Sequence, residues 1–459
     1  MKRAILLFGL LVTTITFSQS EEIADDYFKR GEFEKALITY QKLNENNNNL
    51  NIFNKIISTL QQLERYDEAQ QILLNQISSY NFPPLLVELG YNYQLKDSIE
   101  IANHYYNEAI SKVDENPNFT YSIANQFESH SLLEQAIVVY SKGMQLLPDA
   151  NFNIQMARIY GEQGNVELMF SNYIDYIESK PVFLNNAKRI FSDFISENKD
   201  NENNLILKKL LLKKIQTQPD IYWYELLSWL FVQEKEYNKS FTQEKALYKR
   251  NPESLDRIIE LAITAVSAKD YETANDIFNY ILESSQDIQS ILVAHQYLLD
   301  IETQNASKNE LPAINNKYLD LFNQFGTYEQ TLSLQIAYGN FLAFYVQKPE
   351  EASAFLKQSL NLNLSAFQEA TIKLKLGDIL VLQEKFNEAL IYYTQIQANL
   401  KNSTLSQEAR FKVAKTSYYK GDFENAQSQV DILNPGNGLN PADEDYLAGL
   451  LKEIEKASE

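Results

Sequence analysis

The chain has 459 residues, 44% of them hydrophobic, with 29 Tyr and 25 Phe against 13 Gly and 11 Pro. That length exceeds the roughly 250–300 residues at which one compact core stops growing, and so few Gly and Pro exclude an all-β chain of short punctuated strands; several domains or an array of helices is expected. A formal charge of −20 repels phosphate backbones and anionic headgroups, and the lack of any Cys excludes disulfides, Cys-based zinc sites, thiol catalysis and a lipid anchor on an N-terminal Cys.

The first element is MKRAILLFGLLVTTITFSQS, residues 1–20. It has a basic start (Lys2, Arg3), an apolar run from Ala4 to Phe17 and small residues Thr16, Ser18 and Ser20 where a peptidase would cut. This pattern predicts a secretory signal peptide; an uncleaved N-terminal anchor is the alternative. Cleavage would remove Lys2 and Arg3 and take the charge from −20 to −22. The mature chain is therefore expected to be exported, periplasmic in a Gram-negative envelope, and soluble after cleavage.

Beyond the leader a small residue recurs at Ala36, Ala69, Ala102 and Ala136, with Met169 and Ser240 in equivalent places, then at Ala274, Ala352, Ala389 and Ala426. The first four steps are 33, 33, 34 and 33 residues; the longer gaps fit two periods each, with missing repeats expected near Leu205 and Ala313. Periods of this length mean a stacked array. Three residues before each marker stands Phe33, Tyr66, Ile99, Leu133, Val166, Tyr237, Tyr271, Pro349, Phe386 or Phe423, preceded by turn chemistry. These are helix–turn–helix hairpins in which Gly31, Gly164 and Gly421 suit the left-handed residue that closes a first helix, with acidic residues in the first turn of the second. The later steps of 37 to 39 residues imply longer helices or turns.

In LLVELGYNYQLKDSIEIANHYYNEAI, residues 85–110, Leu86, Leu89, Gly90 and Tyr93 precede Ala102, Tyr106 and Ala109. Ile123, Ala124 and Phe127 precede Ala136, Tyr140, Gly143 and Pro148, and Leu376 and Gly377 precede Ala389 and Tyr393. These runs resemble the tetratricopeptide repeat (TPR) family. The resemblance implies an all-α, right-handed α-solenoid of about twelve TPR-like hairpins over 21–434. Small residues would let the two helices of a hairpin approach, and large ones would fill the gaps between hairpins.

At the C-terminal end NPGNGLNP breaks the pattern. Asn440 can then cap a helix with Pro441 at its first position, and Tyr446, Leu447, Leu450, Leu451 and Ile454 share one face. Residues 435–459 are read as a breaker loop and capping helix, or as a tail that docks on another protein.

No catalytic motif emerges. His104, His130 and His295 are the only histidines and have no ligand spacing; phosphate-loop, nucleophile-elbow and dinucleotide motifs are absent from the sequence. The expectation is a non-catalytic protein with no cofactor, no metal and no nucleic-acid partner. Lys208, Lys209, Lys213 and Lys214 read as the solvated face of a helix. Asn118, Asn238, Asn305 and Asn402 stand in Asn-x-Ser/Thr triplets, which chance supplies in an Asn-rich chain, and Asp97-Ser98-Ile99 reads as a turn.

In the TPR family, first-helix residues not used for packing line a groove for a peptide or a partner helix. Carried onto this chain, the resemblance places there Tyr91, Gln94, Asn118, Tyr121, Asn125, Asn151 and Arg158, then Tyr222, Glu225, Trp229 and Gln233. Tyr222 and Trp229 suit either that groove or the core. The family's clamp for a C-terminal carboxylate needs a cluster of Lys, Arg and Asn; only Arg158 with its nearby Asn residues resembles it, so capture of a carboxylate terminus is not expected. The implied function is a protein–protein interaction scaffold or adaptor of the cell envelope; the alternative is a regulatory or glycan-linked accessory module of a cell-wall enzyme.

Overall fold

The computed structural model describes residues 21–46, 49–401, 403–432 and 449. The leader, the breaker cluster, the sequon at Asn402 and, apart from Gly449, the expected cap over 435–459 lie outside the described residues. Between Gln218 and Pro219 the chain divides into two units. The first contains α1 (21–29), α2 (Phe33–Asn46), α3 (Leu50–Gln62), α4 (Tyr66–Ser79), α5 (Pro84–Leu95), α6 (Ile99–Glu115), α7 (Thr120–Ser129), α8 (Leu133–Leu146), α9 (Asn153–Glu162), α10 (Val166–Ser179), α11 (Leu184–Ser192) and α12 (Glu202–Thr217). The second contains α13 (Ile221–Gln233), α14 (Tyr237–Arg250), α15 (Asp256–Ser267), α16 (Tyr271–Ser284), α17 (Ile288–Asn305), α18 (Leu311–Phe325), α19 (Leu332–Asn340, continued by a π-helical turn at Phe341–Tyr345), α20 (Pro349–Ser359), α21 (Ala366–Leu382), α22 (Phe386–Asn399), α23 (Thr404–Lys420) and α24 (Phe423–Ile432).

Among the described residues every helix or strand element is a helix, and odd and even helices alternate in chain order as the first and second members of hairpins, with α12 packed on α10. Even helices begin at the residues expected: Phe33, Tyr66, Ile99, Leu133, Val166, Tyr237, Tyr271, Pro349, Phe386 and Phe423 are each first in their helix. Within each unit first helices pack on first helices and second on second. Thus α5 packs on α6 and α7, α6 on α8, and α19 on α17, α20 and α21. The longer late periods are taken up by longer first helices: α17 has 18 residues and α21 and α23 have 17, against 10 in α7 and α9.

One turn closes ten of the hairpins. Gly31, Gly164 and Gly421 are left-handed as expected, at φ +74°, +73° and +84°, and the same position holds Glu64, Asp97, Ser131, Lys235, Lys269, Gln347 and Glu384, all at φ between +55° and +64°. In nine of these turns the next N–H reaches back five residues, as in Ser98 to the Tyr93 carbonyl, Asp270 to Ala265 and Asp422 to Ser417. The left-handed residue itself donates to the carbonyl three residues back, as Asp97 does to Gln94. This double bond set satisfies the last carbonyls of the first helix and reverses the chain in a short space.

The hairpin core follows from three positions. All ten marker residues are buried; in nine of the hairpins partners of complementary size sit twelve residues earlier on the first helix and four later on the second, and in α19/α20 Gly339, thirteen before Ala352, faces Leu356 instead. Gly90 faces Tyr106 and Gly377 faces Tyr393: a β-carbon on either glycine would come within 2.5 Å of a ring atom. The same places pair Ala24 with Tyr40, Ala124 with Tyr140, Ala157 with Tyr173 and Ala262 with Phe278, whereas the larger Ile57 pairs with Leu73. Volume is conserved at each contact, as a close-packed interior requires.

Two hairpins depart from this scheme, and both correct the sequence reading. Leu205 is 49% exposed; α12 instead buries Asn204, Leu207 and Leu211, with Asn204 bonded to the Ser196 N–H at 3.0 Å and to the Ser196 carbonyl at 2.8 Å. Helix α12 packs on α10, and its Lys214 pairs with Asp175 at 3.0 Å and Glu178 at 2.6 Å; Lys209 and Lys213 are solvated as expected. Ala313 is exposed, and Ile314 is buried in its stead, with Tyr318 four residues on. The residue twelve before Ile314 is the exposed Glu302, so no close helix approach there demands a small side chain.

Candidate protein-binding face

Within the first unit the expected binding residues divide by what they touch. Tyr121 is 54% exposed and Asn125 is also exposed; one helical turn apart on α7, they share a face open to solvent. Tyr91, half-buried on α5, stacks on the His130 ring with centroids 3.8 Å apart and planes 16° from parallel. His130, not itself among the expected binding residues, has Nε2 2.7 Å from Glu88 Oε2. Glu88 is buried and also accepts from Gln126 Nε2 at 2.6 Å and Gln61 Nε2 at 2.9 Å, so one carboxylate ties together α3, α5 and α7. A buried carboxylate needs several such donors, and a single sequence offers no spacing that would join Gln61, Glu88 and His130 in advance.

The other expected residues of this unit are engaged structurally. Gln94 Oε1 accepts the Tyr106 hydroxyl at 2.9 Å. Asn118 lies in the 3-10 turn Pro117–Phe119 ahead of α7, not on a first helix, and its side chain donates to Asn116 Oδ1 at 3.1 Å. Asn151 also precedes its helix; it accepts from the Asn153 N–H at 3.0 Å and donates to Ser179 Oγ at 2.6 Å. Short amides compete for backbone groups at helix starts, which explains both placements.

Arg158 is paired with Glu128, which also accepts the Tyr140 hydroxyl at 2.6 Å. Burial opposes the charge of Arg158, but the Glu128 carboxylate outweighs it and holds the guanidinium more firmly protonated. The same clasp recurs. Tyr40 and Lys55 converge on Asp25, at 2.5 and 2.7 Å, and Tyr393 and Lys412 on Asp378, at 2.7 and 2.9 Å. In each, a second-helix tyrosine and a cation from the next first helix meet on one carboxylate. Arg158 thus joins neighbouring hairpins, its guanidinium already matched to an acid.

In the second unit Tyr222, Trp229 and Gln233 are half-buried on α13, and Tyr222 meets the edge of the fully buried Trp223 at 4.4 Å. Glu225 is paired with Arg257 at 3.2 Å. Arg257 in turn bonds both oxygens of the buried Glu244, at 2.9 and 2.7 Å, and Ser228 Oγ donates to Glu244 Oε1 at 2.5 Å and lies 2.8 Å from Ser240 Oγ. Here the core triplet of small, small and large residues is Ser228, Ser240 and Glu244. It is a satisfied polar network in the place where Gly377, Ala389 and Tyr393 stand in α21/α22.

Stacked hairpins, left-handed turns and interlocked small and large residues define an all-α, TPR-like solenoid fold. The solved structures it is similar to include yeast Tom70, with 12% identity over 96% of this chain and 97% of that one at a TM-score of 0.39. They also include a tetratricopeptide repeat protein from Parabacteroides merdae, with 13% identity over 57% and 97% at 0.33, and pilF of Pseudomonas aeruginosa, with 16% over 49% and 96% at 0.32. No protein-family model matches the chain, and neither does any curated protein.

Proposed function

We propose that this chain is a non-catalytic protein–protein interaction scaffold of the bacterial envelope, holding an extended peptide or a partner segment along its first-helix layer. The observation that carries this reading is the division of labour on α7: Ile123, Ala124 and Phe127 are buried in the stack, whereas Tyr121 and Asn125 face solvent. An exposed tyrosine beside an amide supplies contact area at small entropic cost and hydrogen bonds to a peptide backbone in either direction. Among the described residues no group of three or more His, Cys, Asp or Glu could hold a metal ion, and no helix is long and apolar enough to cross a membrane. The envelope location rests on the leader pattern of residues 1–20.

The test is cross-linking of tagged protein in living cells, with captured partners identified by mass spectrometry, in wild type and in the Tyr121→Ala/Asn125→Ala variant. Loss of a dominant envelope partner from the variant is expected. An unchanged partner list would move recognition off α7, and mature protein confined to the cytosol would overturn the envelope reading.

A further inference from the structure

In the second unit a pocket of about 440 Å³ opens on the first-helix layer. Its walls come from α15, α17, α19 with the π-helical turn, and α21. A volume of this order suits a small molecule, and π-helical insertions often mark functional sites.

Two charged side chains face the space, Asp300 from α17 and Lys375 from α21, and they form no ion pair with each other. Burial pushes the Asp300 carboxyl up to about 6, with Gln296 and Lys375 offsetting only part of the effect. Burial likewise lowers Lys375, against the pull of Asp378. Lys375 Nζ donates to Asn340 Oδ1 at 3.0 Å, but Asp378 lies 4.0 Å away and is already bonded to Tyr393 and Lys412. Thr303, only 4% exposed, also lines the pocket, and its hydroxyl has no hydrogen-bond partner among the described residues. A buried hydroxyl and two under-matched opposite charges around one cavity are groups that a ligand would complete.

We propose that this pocket binds a small zwitterion of the amino-acid or short-peptide class, its ammonium beside Asp300 and its carboxylate beside Lys375 and Asn340. Ile336 and Phe341 line the same cavity and offer an apolar wall for a side chain. The proposal is independent of the scaffold reading, which rests on α7 in the other unit.

The experiment is isothermal titration of the full chain with alanyl-alanine, alanyl-leucine, alanyl-phenylalanine and lysyl-alanine, each beside its N-acetylated, C-amidated form. At least one free dipeptide is expected to bind with a Kd of about 1 mM or tighter. The capped form, and the Asp300→Asn and Lys375→Met variants, are each expected to bind that dipeptide at least about tenfold more weakly. Circular dichroism melts confirm that both variants are folded. No binding by any free dipeptide, equal binding of the capped form, or unchanged affinity in both folded variants would overturn the proposal.

Discussion

Hairpins α21/α22 and α13/α14 share one register but solve the same packing problem with opposite chemistry. In α21/α22 the Tyr393 ring lies on Gly377, and its hydroxyl reaches Asp378 at 2.7 Å. In α13/α14 the equivalent places hold Glu244 and Ser228, and the acid is matched by a serine hydroxyl and both arms of Arg257. The repeat therefore prescribes size and satisfaction at a position more strictly than polarity. A third site sharpens the contrast: Asp300, also largely withdrawn from water, has no such set of donors. A matched acid reads as structure, an unmatched one as a place for a ligand.

The largest effect is expected from Tyr393→Ala, which empties a fully buried site and should cost about 3–5 kcal/mol. Because arrays can unfold in parts, hydrogen exchange should localise the loss to α21–α23. Next, Glu244→Leu leaves Ser228 and Ser240 without their acid and Arg257 with Glu225 alone, and should cost about 2–3 kcal/mol in denaturant titration, whereas Ser228→Gly/Ser240→Ala/Glu244→Tyr, which imposes the α21/α22 pattern, should cost less than the single change. If the triple variant is the worse of the two, the equivalence of the hairpins fails.

Asp300→Asn should act in the other direction. The folded state raises this carboxyl from its ordinary 3.8 to about 6, so between these values it holds a proton that the unfolded chain has released. Stability is then lost as pH rises from about 4 to 6, and at pH 7 the ionised acid is a cost of at most about 3 kcal/mol. Lys375, Tyr297 and Tyr318 are the titratable groups that feel its charge. With partial solvent access, Asp300→Asn should stabilise by about 1–2 kcal/mol at pH 7 and by almost nothing at pH 4, as read from melts at the two pH values. The smallest effects concern the turns. Lys269→Gly relieves a left-handed lysine and should add about 0.5–1 kcal/mol, and Gly421→Ala, with open space around the new methyl, should cost about 1 kcal/mol by backbone strain alone.

Much of the fold was legible because a small residue between two close helices leaves a periodic trace. The ten markers and the first residues of ten second helices follow from it. The turns were only partly legible, since seven of the ten left-handed positions are exposed non-glycine residues whose type carries no signal. Leu205 and Ala313 missed by one residue because spacing alone located them, and one step on a helix turns a side chain by about 100°. The exposure of Tyr121 and Asn125 was legible, because the apolar residues of α7 mark its opposite face. The partners of Arg158, Gln94 and Glu225 were not legible, because they come from other helices. Asp300 and Lys375 lie 75 positions apart on different hairpins, with no motif between them.

The most direct measurement is photo-crosslinking in cells, with a photoreactive phenylalanine analogue placed at Tyr121 on α7 or at Val138 on α8, both about half exposed. A first-helix scaffold predicts a discrete protein adduct at position 121 and none at position 138. Adducts at 138 alone, or at neither position, would contradict a binding role for the first-helix face.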